Sequence, residues 1–144
     1  MAVSIKKVTL WRTEVENKPG VLCSVLGPLA EAGADLQVVM GYRYSGDGNK
    51  AAIEVAPVSG RKSTAAASKA GLSAAGTAAL LVQGDNRPGL GHAIARAIAE
   101  AGINVTFLVA QVIEPRFSAV IGFEDETEAK EATALIKKAV KKLE

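Results

Sequence analysis

The chain states one pattern twice. Asn17-Lys18-Pro19-Gly20 returns as Asn86-Arg87-Pro88-Gly89, and the segments they open both close on Ala-Glu-Ala-Gly, at 30–33 and 99–102. At a constant offset of 69, residues 17–33 and 86–102 share seven identities. Average composition would give roughly one. A duplication on this scale constrains the fold more than any other feature. In 144 residues it leaves room for two small units. Units of that size bury little core alone, so they are expected to pack on each other or on a second chain.

Each repeat reads in the same order. Val8 to Val15, and Ala79-Leu80-Leu81-Val82-Gln83, form the first strands. The second of these is almost unbroken apolar, as a strand covered on both faces would be. Asn-x-Pro-Gly then marks a turn, because Pro presets φ and Gly admits a conformation that side chains resist. Helices follow, with Leu22, Val25 and Leu29 on one face of the first and Leu90, Ile94 and Ile98 on one face of the second. Gly33 and Gly102 are the stop signals. Pro28 is expected to kink or shorten the first helix.

Alternation then gives second strands through Leu36, Val38, Met40, Tyr42 and Tyr44, and through Val105, Phe107, Val109 and Ile113, where Gln111 breaks the pattern. Turns at 45–49 and 114–116 lead to third strands over Ala51 to Val55 and Ser118 to Phe123. The last helix has capping-box spacing at Asp125 and Glu128, with a stripe of Ala129, Ala132, Ile136, Val140 and Leu143. Its counterpart, roughly Arg61 to Ala70, is weaker and runs into an Ala-, Ser- and Gly-rich tract.

The fold class is therefore α/β in the α+β sense. It comprises two ferredoxin-like βαββα(β) units, with antiparallel sheets and helices on one face. Residues 1–60 form the first core, 61–76 a short helix and linker, and 77–144 the second domain. Neither repeat shows an obvious fourth strand, although the first strand normally lies between the third and the fourth. A bare apolar edge invites aggregation. The other copy, a second chain or a short strand near Leu72 to Ala75 is expected to cover it.

Composition excludes several functions. A formal charge of +2 is too weak to argue for nucleic acid or an anionic membrane. No run approaches the ~18 apolar residues of a membrane helix. One Cys and no visible signal segment point to a reducing, cytoplasmic setting. With one His, one Cys and no ligand-like spacing, the sequence offers no catalytic constellation, metal site or cofactor motif.

The β-α-β-β-α order with Asn-Arg-Pro-Gly between first strand and first helix, and Glu-Ala-Gly-Ile-Asn-Val at 100–105, resembles the ACT domain. The resemblance covers about 8–56 and 79–143. It implies small-molecule sensing modules, mostly for amino acids, with the ligand at an interface between two domains. There, the first loop and helix start of one domain face the second strand of another. Matched residue by residue, the loop Asn falls on Asn17 and Asn86, and the residue at the start of the second strand on Asp35 and Asn104. In the serine-binding members a His stands two positions before the loop Asn. Here Val15 and Gly84 stand there, against serine.

The candidate ligand residues are therefore Asn17, Lys18, Pro19, Gly20, Val21, Leu22 and Asp35 in the first repeat. In the second they are Asn86, Arg87, Pro88, Gly89, Leu90, Gly91 and Asn104. Physics favours that location independently. A helix start offers unpaired N–H groups and partial positive charge to a carboxylate, and an Asn amide can both donate and accept. Gly91 in place of Leu22 leaves more room, which ranks the second site higher. Against this stand structural readings: Asn17 and Asn86 as helix caps or turn braces, Cys23 as a buried small hydrophobe, and His92 with Arg96 and Glu100 on a solvated face.

The leading function is a non-catalytic regulatory sensor of an amino acid or similar small carboxylate. It would act as a homodimer read by an enzyme or regulator partner, without nucleic acid, membrane or cofactor. The alternatives are a ligand-free dimerising subunit of an amino-acid biosynthetic enzyme and an acylphosphatase-like hydrolase using Arg87 and Asn86.

Overall fold

The computed structural model describes residues 3–143. Its elements run β1 (Val3–Glu16), α1 (Val21–Glu31), β2 (Val38–Tyr44), β3 (Asp47–Ala56), α2 (Arg61–Lys69), β4 (Ser73–Asp85), α3 (Leu90–Glu100), β5 (Val105–Ile113), β6 (Arg116–Phe123) and α4 (Glu126–Lys142). The chain divides into two compact units. The first spans Thr9–Gly76; the second takes the residues up to Val8 and those from Thr77 onward.

In the first unit β3 pairs antiparallel with β1 and with β2. In the second, β6 pairs antiparallel with β4 and with β5. β1 and β4 are themselves neighbours in the strand order. The fourth strand missing from each repeat is thus supplied by the long ends of these two strands. Ser73–Gly76 of β4 completes β2-β3-β1-β4 in the first unit, and the start of β1 completes β5-β6-β4-β1 in the second. The expectation of a short strand near Leu72 to Ala75 is met by the beginning of β4. The stretch 61–76, read as a short helix and linker, is helix over Arg61–Lys69 and strand from Ser73 on. The first residues, grouped by sequence with the first repeat, belong with the second, because Val3 and Ile5 pack on its core.

Each core lies between helices and one sheet face. In the first unit Val25 and Leu29 of α1 meet Ile53 and Val55 of β3, with Ala67 and Leu72 behind them. In the second, Leu90, Ile94 and Ile98 of α3 and Ile136 of α4 meet Leu80, Val82, Ile121 and Phe123. Burying a Leu, Ile or Phe side chain contributes roughly 1.5–3 kcal/mol, so the second core is the more strongly held. The helical stripes read from sequence are buried except at Leu143, which is half-buried, and Leu22, which is 43% exposed. Leu22 sits in the first turn, where the helix face turns toward the loop. Cys23, expected as a small core residue, is exposed for the same reason.

Local chemistry explains the helix ends. Asp125 accepts a hydrogen bond from the Glu128 backbone N–H at 2.8 Å and so caps α4. Lys141 and Lys142 suit the negative end of its dipole. α1 runs through Pro28 to Glu31. The chain reverses after α1 and α3 through Ala34 N–H donating to Leu29 O (3.0 Å) and Ile103 N–H donating to Ile98 O (3.2 Å). Gly122 has a packing role. A Cβ there would lie 2.3 Å from Phe107 Cε1, so the ring of β5 rests directly on the backbone of β6.

Candidate functional site

Both Asn-x-Pro-Gly loops leave the end of a strand and start a helix, and both are fixed in the same way. Asn17 N–H donates to Asn49 O (2.9 Å), and its side-chain Nδ2 donates to Gly48 O (2.9 Å). Asn86 N–H donates to Pro115 O (2.8 Å), and its Nδ2 donates to Glu114 Oε1 (3.0 Å). Each Asn therefore braces its loop against the hairpin turn of its own unit. Neither caps its helix: the N-cap residues are Gly20 and Gly89, and no side chain caps either start.

Those glycines have φ of +87° and +83°. L residues resist this left-handed region, and a Cβ at either position would meet open space. Conformation, not crowding, calls for Gly here. Their carbonyls accept from Ser24 N–H (3.0 Å) and Ala93 N–H (2.9 Å), closing the first helical turns. Val21 and Leu90 N–H are directed to Lys18 O (3.4 Å) and Arg87 O (3.1 Å). No side chain makes a cap hydrogen bond at either helix start, and the first-turn N–H groups of such a start are the kind an anion can take.

The remaining candidates divide. Lys18 pairs with Glu16 at 3.6 Å, both exposed. Arg87 Nη1 donates to Leu143 O, tying the second loop to the end of α4. Pro19 and Pro88 are exposed, Val21 half-buried, and Leu90 buried in the core. Asp35 and Asn104 are exposed ahead of β2 and β5. Leu22 Cδ1 lies 3.9 Å from where a Cβ on Gly41 of β2 would sit, whereas Gly91 faces open space.

Sequence reading missed the brace partners Gly48, Asn49, Glu114 and Pro115. The topology could have pointed to them. In a β-α-β-β unit the hairpin between second and third strands lies at the same sheet end as the loop after the first.

It also missed a polar cluster in the first unit. Arg12 stands opposite Glu54 in register, and Tyr42 opposite Ala52, on the sheet face turned away from α1 and α2. Tyr42 OH donates to Glu54 Oε2 (2.9 Å), and Tyr44 OH donates to Glu14 Oε2 (2.9 Å). The Arg12 guanidinium donates to Tyr44 OH and lies 5.8 Å from the centre of that ring. Glu54 is 5% exposed. Burial raises the Tyr42 pKa above 10; the Arg12 hydrogen bond pulls it down, and the adjoining Glu54 pushes it up. Burial disfavours the Arg12 charge, but hydrogen bonds to Tyr42 and Tyr44 outweigh it and raise its pKa. The signal was Glu54 within an apolar strand, opposite Arg12. Among the described residues no group of three His, Cys, Asp or Glu could hold a metal ion.

No family model and no curated protein matches the chain. Solved structures do. The ligand-free regulatory subunit of aspartate kinase from Thermus thermophilus aligns with a TM-score of 0.66 and 18% identity, over 96% of this chain and 97% of that one. A structure of aspartokinase alpha and beta subunits gives 0.64 and 20%, over 98% of each. A protein of Bacteroides thetaiotaomicron gives 0.70 and 15%, over 94% of this chain and 89% of its own. At such identities the likeness is one of fold, and it runs along the whole chain. No described helix is long and apolar enough to cross a membrane.

Proposed function

We propose that the chain is a non-catalytic regulatory module of the ACT type. It binds an amino acid, or a similar small carboxylate, at the Asn-x-Pro-Gly helix starts. The observation that carries this reading is the paired helix start. It has a braced Asn, a left-handed Gly and first-turn amides with no side-chain cap. The ligand carboxylate would take those amides. The second site, open at Gly91, is the preferred one. Asn104 ahead of β5 and the second strand of an apposed copy would complete the wall.

A homodimer follows from the same reading. β5 ends the strand order, and Leu108, Val109, Val112 and Ile113 are 43–70% exposed along it. A second chain would cover this apolar edge. Ligand coupling to a partner enzyme need be only ~1–3 kcal/mol. The fold shared with aspartate kinase regulatory subunits supports such a partner.

The Asn braces favour one other reading. Both amides already serve the loop, as in a dimerising subunit that binds no ligand. The hydrolase reading loses support, because Arg87 is engaged at the α4 terminus.

A thermal-shift screen against the twenty amino acids and related carboxylates separates these readings. Ligand at 100 times its Kd adds ~2.7 kcal/mol, several degrees for a protein of this size. A shift that disappears in Gly91→Leu supports the sensor and its site. No shift from any compound favours the ligand-free subunit.

A further inference from the structure

The outer surface of the second unit holds a feature that the ligand reading touches only at Gly89 and that the β5 edge does not use. Between α3 and α4 runs an open groove of about 620 Å³. Half-buried Ala93, Ala97 and Ala139 line it together with Leu135 and Leu143. The alanines are too short to form ridges, so two packed helices leave a furrow of the kind into which a third helix nests.

The rim is charged unevenly. On the α3 side Arg96 is paired with Glu100 at 2.7 Å, which neutralises that wall. On the α4 side Lys138 and Lys142 stand one turn apart, and among the described residues neither is ion-paired. Lys137 and Lys141 extend the positive charge along the same end of α4.

We infer that the α3–α4 groove docks an acidic amphipathic helix of a partner protein. Small residues of that helix would lie on the alanines, and two carboxylates one turn apart would face Lys138 and Lys142. Helix-in-groove recognition has this form, with anchors repeating at one-turn spacing. Nucleic acid fits less well. The Arg96–Glu100 pair places a carboxylate in the wall, and phosphates need many unopposed cations. The outward face of α4 around Ala134 carries Lys130, Lys137, Lys138 and Lys141 against Glu131 alone. Stacking α4 on α4 of a second copy would therefore set like charges together.

Docking requires no bound amino acid, so ligand-free, full-length protein tests it alone. The probe is a synthetic 20-residue Ala/Leu helix with Glu residues spaced i, i+4 on one face; the control is its Lys counterpart. Amide NMR titration should show saturable shifts at Ala93, Ala97 and Ala139 with the acidic probe only. Reversing both rim charges, Lys138→Glu with Lys142→Glu, should weaken binding about tenfold, the scale of two rim charges. Ala97→Trp, which fills the furrow without changing charge, should abolish it.

Several outcomes overturn the inference. They are no saturation at millimolar probe, shifts spread evenly over the lysines and unaffected by Ala97→Trp, tighter binding of RNA or anionic vesicles, or groove shifts that grow with protein concentration alone, the mark of a second copy.

Discussion

The two repeats share a backbone plan down to the loop braces and the central strand register. The second and third strands shift register at Arg43/Tyr44 in one and at Val105/Phe107 in the other. Their sheet faces away from the helices, however, carry opposite chemistry. In the first unit that face presents Arg12, Glu14, Tyr42, Tyr44 and Glu54, linked by hydrogen bonds. The matching positions of the second are Leu81, Gln83, Gln111, Ile113 and Val120. Gln83 Nε2 reaches Ser118 Oγ there at 3.4 Å, and Arg116 donates to Asp85 at 2.9 Å at the strand ends, but no Tyr–Glu–Arg linkage forms among these positions. Topology here depends on the helix-facing residues, which both copies keep apolar. The other face was free to diverge, and it did so as a set: Glu54 came with Tyr42, and Tyr42 with Arg12.

The comparison predicts its own largest violation. Val120→Glu would put a carboxylate at an 8%-exposed site, opposite Leu81 and Val109 in register, where no Tyr or Arg stands. An uncompensated buried charge costs about 3–5 kcal/mol. Urea denaturation should show the second unit destabilised by that amount. An unchanged midpoint would mean that this face tolerates charge in either copy and that the first-unit cluster is incidental.

Removing the cluster from within should cost less. Tyr42→Phe takes the hydroxyl donor from a carboxylate that is nearly buried, for roughly 1–3 kcal/mol. Tyr42→Phe combined with Glu54→Val, which imports the second unit's residue, should recover most of the loss. If the two single changes simply add, the residues are not coupled. The same hydroxyl gives a pH signature. Its folded pKa is raised by burial, so its stabilisation is present below the ordinary tyrosine value of about 10 and is lost as pH rises through the folded value. The alkaline fall in stability should be smaller in Tyr42→Phe.

The loop glycines sharpen the contrast between conformation and space. Gly89→Ala forces a side chain into φ +83° and should cost ~1–2 kcal/mol. Gly91→Ala, two residues on in the first helical turn, has open space around it and should cost nothing or gain up to ~1 kcal/mol. Calorimetry of both variants checks this pair. Equal losses would show that Gly91 holds a constraint the geometry does not reveal.

How much of this could be read beforehand depended on range. The helical stripes at Ile94 and Ile98 and the Asp125 cap were legible, because helix periodicity and capping are local. The third strands were legible as apolar runs. Of the fourth strands, the one near Leu72 to Ala75 was only one of three ways to cover an open edge, and the start of β1 in the second unit was not foreseen. Ser73-Ala74-Ala75-Gly76 carries no strand propensity and is held by its neighbour β1, a contact no local pattern encodes. The site was legible to the same depth. The Asn-x-Pro-Gly duplication located both loops, but whether Asn capped the helix or braced the hairpin depended on Gly48 and Glu114, nearly thirty or more residues away. Glu54 was hidden for a related reason: only strand pairing shows that it lies opposite Arg12.

Those braces offer the finest test of how far the repeats remain equivalent. Asn17 donates to a backbone carbonyl, and Asn86 to the Glu114 carboxylate. Each bond should contribute about 0.5–1.5 kcal/mol, so Asn17→Ala and Asn86→Ala should be nearly matched in water. Salt separates them. A bond to a charged, exposed acceptor is screened as ionic strength rises, whereas one to a peptide oxygen is much less so. The cost of Asn86→Ala should therefore shrink between low and high salt while that of Asn17→Ala stays put. Thermal unfolding across that range reads the difference directly. If both costs fall together, the braces share an electrostatic origin beyond their immediate partners, and the two loops are more alike than their acceptors imply.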